Sequence, residues 1–232
     1  MDLSRRAELP LFTDEAIADW PDSAPWSTDD FRRLDESDDS FFYPEQAPKL
    51  VYHVDEGAVA ALTNYYRQRI APGSDILDIC SSWVSHYPFD FPSRMKSIVG
   101  TGMNARELSA NTQLSSFVAV DLNQSPKLPF ADGTFDVVTC VVSVDYLTKP
   151  LQVLAEVRRV LRPGGVVIFS QSNRVFFTKA IRMWLSMGDE AHLELIGQYL
   201  KYAGFSKRPR AFDISAKGRG AKDPMYIVEC EK

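Results

Sequence analysis

The sequence predicts an α/β fold with a mostly parallel sheet, because short apolar runs alternate with segments of helical spacing. The strand-like runs lie at residues 74–80, 96–102, 117–122, 135–143 and 165–172. Strands that alternate with helices form parallel sheets covered on both faces, so we expect each run to be a buried strand. Near the C-terminus two further runs are separated by only the turn-like segment AKGRGAK, which predicts an antiparallel hairpin over 207–231.

The helices are predicted from apolar spacing together with start and stop signals. They fall at residues 55–70, 104–111, 151–161 and 189–203. Asp55 is a candidate N-cap for the first helix, and Asn104 opens the second, with Glu107 at capping-box spacing. Gly204 terminates the last helix.

Composition limits the class of protein. The chain has 232 residues, 45% of them hydrophobic, and a net charge of −5. This acidic balance argues against nucleic acid as the main partner. Three cysteines without a CxxC pair indicate neither a disulfide framework nor a zinc site. No apolar run approaches the ~20 residues of a membrane span, and no signal peptide is evident. We therefore expect a cytoplasmic protein, or a plastid stromal one if a transit peptide has been removed.

Residues 1–50 form an N-terminal extension ahead of the predicted domain at 51–232. The extension is rich in aromatic residues, which is unlike a free tail. They are Trp20, Trp26, Phe31, Phe41, Phe42 and Tyr43. Two interpretations stay open: these rings pack on the domain, or the extension acts as a lid over a pocket.

Residues 128–170 carry a multi-part motif, LPFADGTFDVVTCVVSVDYLTKPLQVLAEVRRVLRPGGVVIFS. It resembles the second half of the small-molecule class I S-adenosylmethionine-dependent methyltransferases, in which LPF, FD and E-x-x-R-x-L-R-PGG follow in this order. The resemblance extends over about residues 55–232. It implies a Rossmann-like, doubly wound sheet of seven strands, mostly parallel, that ends in an antiparallel hairpin.

The resemblance also implies a cofactor site at the carboxyl ends of the strands, where ligands bind in open α/β sheets. It assigns S-adenosylmethionine to Asp78, Ser81, Ser82, Met103, Asn104, Asp121, Leu122 and Cys140. Asp78 would anchor the loop or the cofactor amino group, and Asp121 would contact the adenine. No metal is expected.

Two departures from the family pattern lie within that site. Where relatives have D-x-G-x-G-x-G, this chain has Asp78 followed by ICSSWV, so the three glycines are missing. Trp83 and Val84 are too bulky for the conformations that glycine adopts easily. Where relatives carry an acidic residue for the ribose, this chain has Gly102, and Asn104 is either its replacement or a helix N-cap.

Candidates for chemistry and for substrate contact follow the strand ends. His86 is a possible base or anion ligand, and Asp145 and Tyr146 follow the fourth strand, where relatives place a substrate-facing residue. We take His86 and Tyr146 as the catalytic candidates. Tyr43 and His53 would close over a ligand, and Arg174 would bind an acidic substrate; surface packing is the alternative for all three.

The sequence thus predicts methyl transfer from S-adenosylmethionine to an unidentified small molecule. The alternative is a catalytically inactive protein of the same fold that acts as a structural or regulatory partner, because the glycine loop and the ribose acid are absent. Fold alone does not decide between the two.

Overall fold

A computed structural model describes residues 7–217 and 222–232. Its centre is one eight-stranded sheet with the order β1-β7-β8-β6-β5-β2-β3-β4. The strands are β1 (Ala7–Leu9), β2 (Asp75–Ile79), β3 (Ser97–Gly102), β4 (Ser116–Ala119), β5 (Phe135–Val141), β6 (Leu161–Gln171), β7 (Arg210–Asp213) and β8 (Tyr226–Glu231). Strands β2 to β6 run parallel, and β8 pairs antiparallel with both β6 and β7.

The predicted parallel sheet and its C-terminal antiparallel pair are confirmed, whereas the number of strands is one higher than predicted. The additional strand is β1, which comes from the N-terminal extension and pairs antiparallel with β7. Residues 218–221, within the predicted turn AKGRGAK, lie outside the described part of the chain. Strand β6 begins at Leu161, earlier than predicted, because the preceding helix ends at Val160.

Seven α-helices accompany the sheet within the described residues. They are α1 (Asp14–Ala18), α2 (Asp39–Phe42), α3 (Glu56–Arg69), α4 (Phe91–Arg94), α5 (Ala105–Ala110), α6 (Pro150–Val160) and α7 (Asp189–Tyr202). The four predicted helices correspond to α3, α5, α6 and α7. Asp55 caps α3 by accepting a hydrogen bond from the N–H of Ala58, and Gly204 follows α7 with a φ of +92°. The start of α3 and the end of α7 are therefore both set by single residues that were recognised in the sequence.

Alternate residues of the central strands supply two apolar layers, one on each face of the sheet. Leu77 of β2 packs in the layer that contains α6 and α7, and Ile76 packs in the layer that contains α3. Strand β4 differs from the expectation of burial, because all four of its residues are exposed. It is the edge strand, so one of its sides has no neighbouring strand.

The first part of the extension packs against α7. Trp26 makes edge-to-face contacts with Tyr199 and Tyr202, at centroid distances of 5.0 and 5.5 Å. Phe12 lies so close to Gly197 that a β-carbon at this glycine would collide with the ring. Phe41 is an exception among the extension's aromatic residues, since 79% of it is exposed.

Candidate functional site

A cavity of about 370 Å³ opens at the carboxyl ends of β2, β3 and β5. This is the edge of an open α/β sheet at which ligands bind. Its size lies within the usual range of small-molecule sites. Segments from the N-terminal extension and from the loop after β6 complete the wall, among them Tyr43, Lys49, His53, Arg174 and Phe176.

Nearly all of the cofactor-binding and catalytic residues predicted from the sequence line the cavity. Its wall includes Asp78, Ser81, Ser82, His86, Met103, Asn104, Asp121, Leu122 and Tyr146. Cys140 does not belong to the wall: its side chain is fully buried in the apolar layer that contains α6 and α7. Neighbouring residues of a strand face opposite sides of the sheet, which explains its position. The individual roles of these residues stay predictions.

The loop after β2 follows an unusual path without glycine. Cys80 has a φ of +53° at the first position that is glycine in the family pattern, and His86 has a φ of +58°. Such conformations are costly for residues other than glycine. Trp83 does not take this conformation; its indole N–H donates to the Val51 carbonyl at 3.1 Å and its ring packs on Tyr52. The strain therefore lies at Cys80 and His86 instead of at Trp83 and Val84.

His86 is placed at the cavity but is poorly suited to bind an anion. Burial, together with the charge of His53, lowers the pKa of His86 to about 4. The imidazole is consequently neutral near pH 7, and a neutral ring attracts anions weakly. Its Nδ1 atom has no hydrogen-bond partner among the described residues. The roles of His86 as a base or as an anion ligand stay predictions.

Tyr146 and Asp145 are adjacent in sequence, but only Tyr146 lines the cavity. The Tyr146 hydroxyl accepts a hydrogen bond from the N–H of Phe176 at 2.9 Å, and burial raises the pKa of this phenol. Asp145 does not line the cavity and is fully buried, and the substrate contact expected from the sequence stays a prediction. Arg174 forms an ion pair with Asp223 at 2.8 Å, which occupies part of its hydrogen-bonding capacity.

Asp78 lies at the end of β2 with its carboxyl group almost fully buried. Its Oδ1 accepts a hydrogen bond from the Thr139 hydroxyl at 2.8 Å. Burial is the main influence and raises the pKa of Asp78 to about 6. Ser81 Oγ is buried beside this carboxyl group and has no well-aligned partner among the described residues. Ser81 can therefore donate to an additional ligand.

The close packing around Gly102 explains why no acidic residue stands at the end of β3. A β-carbon at this position would collide with the carbonyl oxygen of Ser81. The two chain segments are held in this close approach by a hydrogen bond from the Ser81 N–H to the Thr101 carbonyl at 2.7 Å. The loop after β2 thus occupies the space in which a side chain at residue 102 would lie.

The replacement Gly102→Ala is expected to lower the free energy of unfolding by about 2 kcal/mol or more, because backbone atoms must move to admit the methyl group. Gly188→Ala is the matched control, since a β-carbon there meets no atom within 4 Å. Urea unfolding monitored by tryptophan fluorescence measures both variants. Equal stability of the two would contradict the close approach.

Asn104 and Glu107 form different hydrogen bonds, and only Asn104 acts as a helix cap. Asn104 Oδ1 accepts from the N–H groups of Arg106 and Glu107, so this side chain caps α5. The Glu107 carboxylate does not complete a capping box; it accepts from the Ser82 hydroxyl at 2.6 Å and from the Lys49 N–H at 2.7 Å. Glu107 was therefore missed as a site residue, since its spacing indicated a cap and its partners are distant in sequence.

A second part of the extension crosses the cavity and is held by buried charges. Asp39 lies 2.9 Å from Arg33 and 3.1 Å from Lys179, and accepts a hydrogen bond from Asn123 at 3.1 Å. Lys179 is fully buried and also pairs with Asp35 at 3.1 Å. Removing one partner of a buried ion pair is strongly destabilising, so this network fixes the extension across the cavity. No local sequence pattern indicated it.

The described residues contain neither a candidate membrane-spanning helix nor a candidate metal site. No helix in this part of the chain is long and apolar enough to cross a membrane. Within the same residues, no group of three or more His, Cys, Asp or Glu side chains is arranged to hold a metal ion.

Comparison with known proteins agrees with this architecture. Residues 93–169, one third of the chain, match the family model described as a methyltransferase domain. A ubiquinone biosynthesis O-methyltransferase of Pseudomonas paraeruginosa is 36% identical over 86 residues, which span 35% of this chain and 37% of that relative. The chain thus covers little more than a third of the length of such relatives.

Structural similarity to solved structures covers most of the chain. A methyltransferase dependent on S-adenosylmethionine from Aquifex aeolicus superposes with a TM-score of 0.53 and 15% identity, over 76% of this chain and 93% of that one. The cyclase SpnF gives a TM-score of 0.57 and 16% identity, over 80% and 88% of the two chains. Likeness at this level of identity concerns the fold. Residues 93–169 therefore resemble the methyltransferase domain family, and the chain has the fold of the class I S-adenosylmethionine-dependent methyltransferases.

Proposed function

We propose that this protein transfers a methyl group from S-adenosylmethionine to a small molecule bound in the cavity. The observation that carries the proposal is the cavity at the carboxyl ends of β2, β3 and β5, in a chain that has the fold of methyltransferases and matches their domain model over residues 93–169. The reaction is a displacement at a sulfonium methyl group, and it depends mainly on the orientation of donor and nucleophile.

The residues of the wall fit the polar groups of the cofactor. Ser81, with a buried hydroxyl that lacks a well-aligned partner, would donate to the methionine carboxylate. Asp78 would accept from the amino group, and a bound cation would favour the charged form of this carboxyl group. Asp121 keeps its backbone turn by accepting from the N–H of Asn123 at 2.8 Å, and would contact the adenine.

Glu107 is our candidate for the ribose. The acidic residues in the cavity wall, among the described residues, are Asp39, Asp78, Glu107 and Asp121. Glu107 belongs to the helix that follows β3, directly beyond the strand end at which relatives have their acid. Each of its two oxygens accepts one hydrogen bond from this chain and retains a second lone pair for a ribose hydroxyl.

Neither catalytic candidate would serve as a strong base. His86 is a weak base because burial lowers its pKa to about 4, and the Tyr146 phenol stays protonated. We propose that both residues shape the wall against which donor and acceptor are oriented. An acceptor that must lose a proton would release it to water.

Cofactor binding is the first test of the proposed function. S-adenosylmethionine and S-adenosylhomocysteine are each expected to stabilise the protein, by about 2.7 kcal/mol at 100 times the dissociation constant. Thermal unfolding with and without ligand measures this effect, with ATP as a control for non-specific nucleotide binding. No stabilisation at millimolar ligand would contradict the proposal and would favour the catalytically inactive alternative.

A further inference from the structure

The wall of the cavity contains a lysine ammonium group enclosed by aromatic rings. Lys49 Nζ lies 3.4 Å from the ring centroid of Phe42, 4.6 Å from that of Tyr43 and 5.0 Å from that of Phe176. A cation within ~6 Å of a ring centroid is attracted to the ring face. We call Phe42, Tyr43 and Phe176 the aromatic cage.

The three rings of the cage pack against one another and against neighbouring side chains. Phe42 packs against Tyr43 at 4.8 Å and against Phe176 at 5.2 Å, both edge to face. Tyr146 and His53 support Phe176 from its other sides, at 5.7 and 5.2 Å. Phe42 and Tyr43 come from the extension and Phe176 from the loop after β6, so the cage forms where these two segments meet.

The Lys49 side chain occupies this cage without a specific polar partner. Among the described residues, Lys49 Nζ has no hydrogen-bond acceptor and no ion-pair partner, whereas the buried Lys179 has Asp35 and Asp39. Burial lowers the pKa of the Lys49 ammonium group. The side chain extends from a segment, residues 44–54, that contains neither helix nor strand. A tethered cation held mainly by ring faces can be displaced by a ligand with the same chemistry.

The cage lies on the side of the cavity suited to the methyl acceptor. Tyr43, Lys49 and Phe176 all belong to the cavity wall, and Tyr146, which supports the cage, follows the end of β5. Aromatic cages are a general means of binding alkylated ammonium groups, because the spread positive charge of these groups is poorly hydrated and lies well on ring faces.

We propose that the aromatic cage binds the cationic nitrogen group of an amine methyl acceptor, and that Lys49 fills this site until the acceptor displaces it. The inference rests on the proposed function. The bound ammonium group first releases one proton to water, which gives the neutral amine its lone pair. This lone pair attacks the sulfonium methyl carbon; the N–C bond forms, the C–S bond breaks, and the electron pair of the C–S bond passes to sulfur to give the thioether. The methylated product is again an ammonium ion.

Tetramethylammonium is the probe for the cage, with neopentyl alcohol as its uncharged counterpart. Lys49→Ala is expected to bind tetramethylammonium about tenfold more tightly than the unaltered protein, because the competing ammonium group is gone. Lys49→Met should show no such gain, since a neutral side chain still fills the cage. The double variant that combines Lys49→Ala with Phe42→Leu should bind tetramethylammonium about tenfold more weakly than Lys49→Ala. Leucine keeps the apolar volume of the side chain and removes one ring face. Calorimetric titration measures each affinity.

The sulfonium group of the cofactor shares this chemistry, and a second arm of the experiment separates the two. S-adenosylmethionine and S-adenosylhomocysteine differ by the charged sulfonium methyl. If the cage holds an acceptor amine, Lys49→Ala binds tetramethylammonium equally well with either compound present. Loss of binding with S-adenosylmethionine alone would overturn the acceptor assignment and place the sulfonium in the cage.

Two further results bear on the inference and on the proposed function separately. Equal tetramethylammonium affinity in Lys49→Ala with and without Phe42→Leu, or equal affinity for neopentyl alcohol, would overturn the cage. Thermal unfolding of the same samples with S-adenosylhomocysteine reports cofactor binding. Stabilisation by that compound without cage binding would overturn this inference and leave the proposed function intact.

Discussion

Replacing Asp145 by asparagine is expected to stabilise the protein at alkaline pH and to have little effect near pH 4. Asp145 lies in the short 3₁₀ turn Val144–Tyr146 after β5 and is fully buried. Neither of its carboxyl oxygens has a well-aligned hydrogen-bond partner among the described residues. Burial is the main influence on this group and raises the pKa of Asp145 to about 8, although hydrogen bonds from backbone and from Tyr146 act in the opposite direction.

The direction of the pH dependence follows from the two states of the protein. An aspartate in the unfolded chain titrates near 3.8, far below the folded value of about 8. Below pH 4 both states hold the proton, and the stability from the neutral group is fully present. As the pH rises from 4 to 8 the unfolded state loses its proton first, so the free energy of unfolding decreases. Each unit of pKa difference corresponds to about 1.4 kcal/mol, so we expect a gain of at least about 2 kcal/mol for Asp145→Asn at pH 9.

Urea unfolding at pH 4, 6 and 9 tests this expectation. Asp22→Asn is the matched control, because Asp22 is exposed and the same charge is removed. The stability difference between Asp145→Asn and the unaltered protein should grow with pH, whereas that of the control should stay nearly constant. A difference that is independent of pH would contradict the prediction, because it would mean that Asp145 has the same pKa in the folded protein as in the unfolded chain.

The second large effect concerns the cofactor. Glu107→Gln is expected to weaken S-adenosylhomocysteine binding by about 10 to 100 times, since hydrogen bonds to a charged acceptor contribute roughly 1.5–3 kcal/mol. Glutamine keeps the shape of the side chain: its oxygen can still accept from the Lys49 N–H, and its amide can donate to the Ser82 hydroxyl. The loss is therefore expected in binding and not in folding.

The ribose assignment is tested by comparing S-adenosylhomocysteine with an analogue that lacks one ribose hydroxyl. The unaltered protein should prefer the complete compound, and Glu107→Gln should lose most of this preference. Glu194→Gln is the matched control, because Glu194 is exposed, lies outside the cavity wall and loses the same charge. Equal affinities for the complete compound in Glu107→Gln and in the unaltered protein would show that the ribose binds elsewhere.

Local patterns explain why most of the fold was predictable. The caps of α3 and α5 at Asp55 and Asn104 depend on side chains within three residues of the helix start. The parallel strands depend on apolar runs that a sheet covered on both faces requires. Strand β1 was not predicted, because Ala7–Leu9 has too few residues for a pattern and is a strand only through its pairing with β7.

The candidate site was predictable at the strand ends and not beyond them. Chain order alone brings Asp78, Met103 and Asp121 to one edge of a parallel sheet. Glu107 and Lys49 meet across 58 residues of sequence, and Lys179 reaches Asp39 from the opposite end of the chain. Such contacts depend on how the extension folds over the cavity, for which no periodicity in the sequence exists.

Local periodicity and contiguous motifs were sufficient to predict the succession of strands and helices, the parallel sheet with its antiparallel end and the resemblance to methyltransferases. Which residues share the site depends on packing between segments that are distant in sequence. Close packing of the loop after β2 excludes a side chain at Gly102, transfers the acidic role to Glu107 in our proposal, and brings Lys49 into a cage of rings. These three features depend on contacts between atoms that are distant in sequence and close in space.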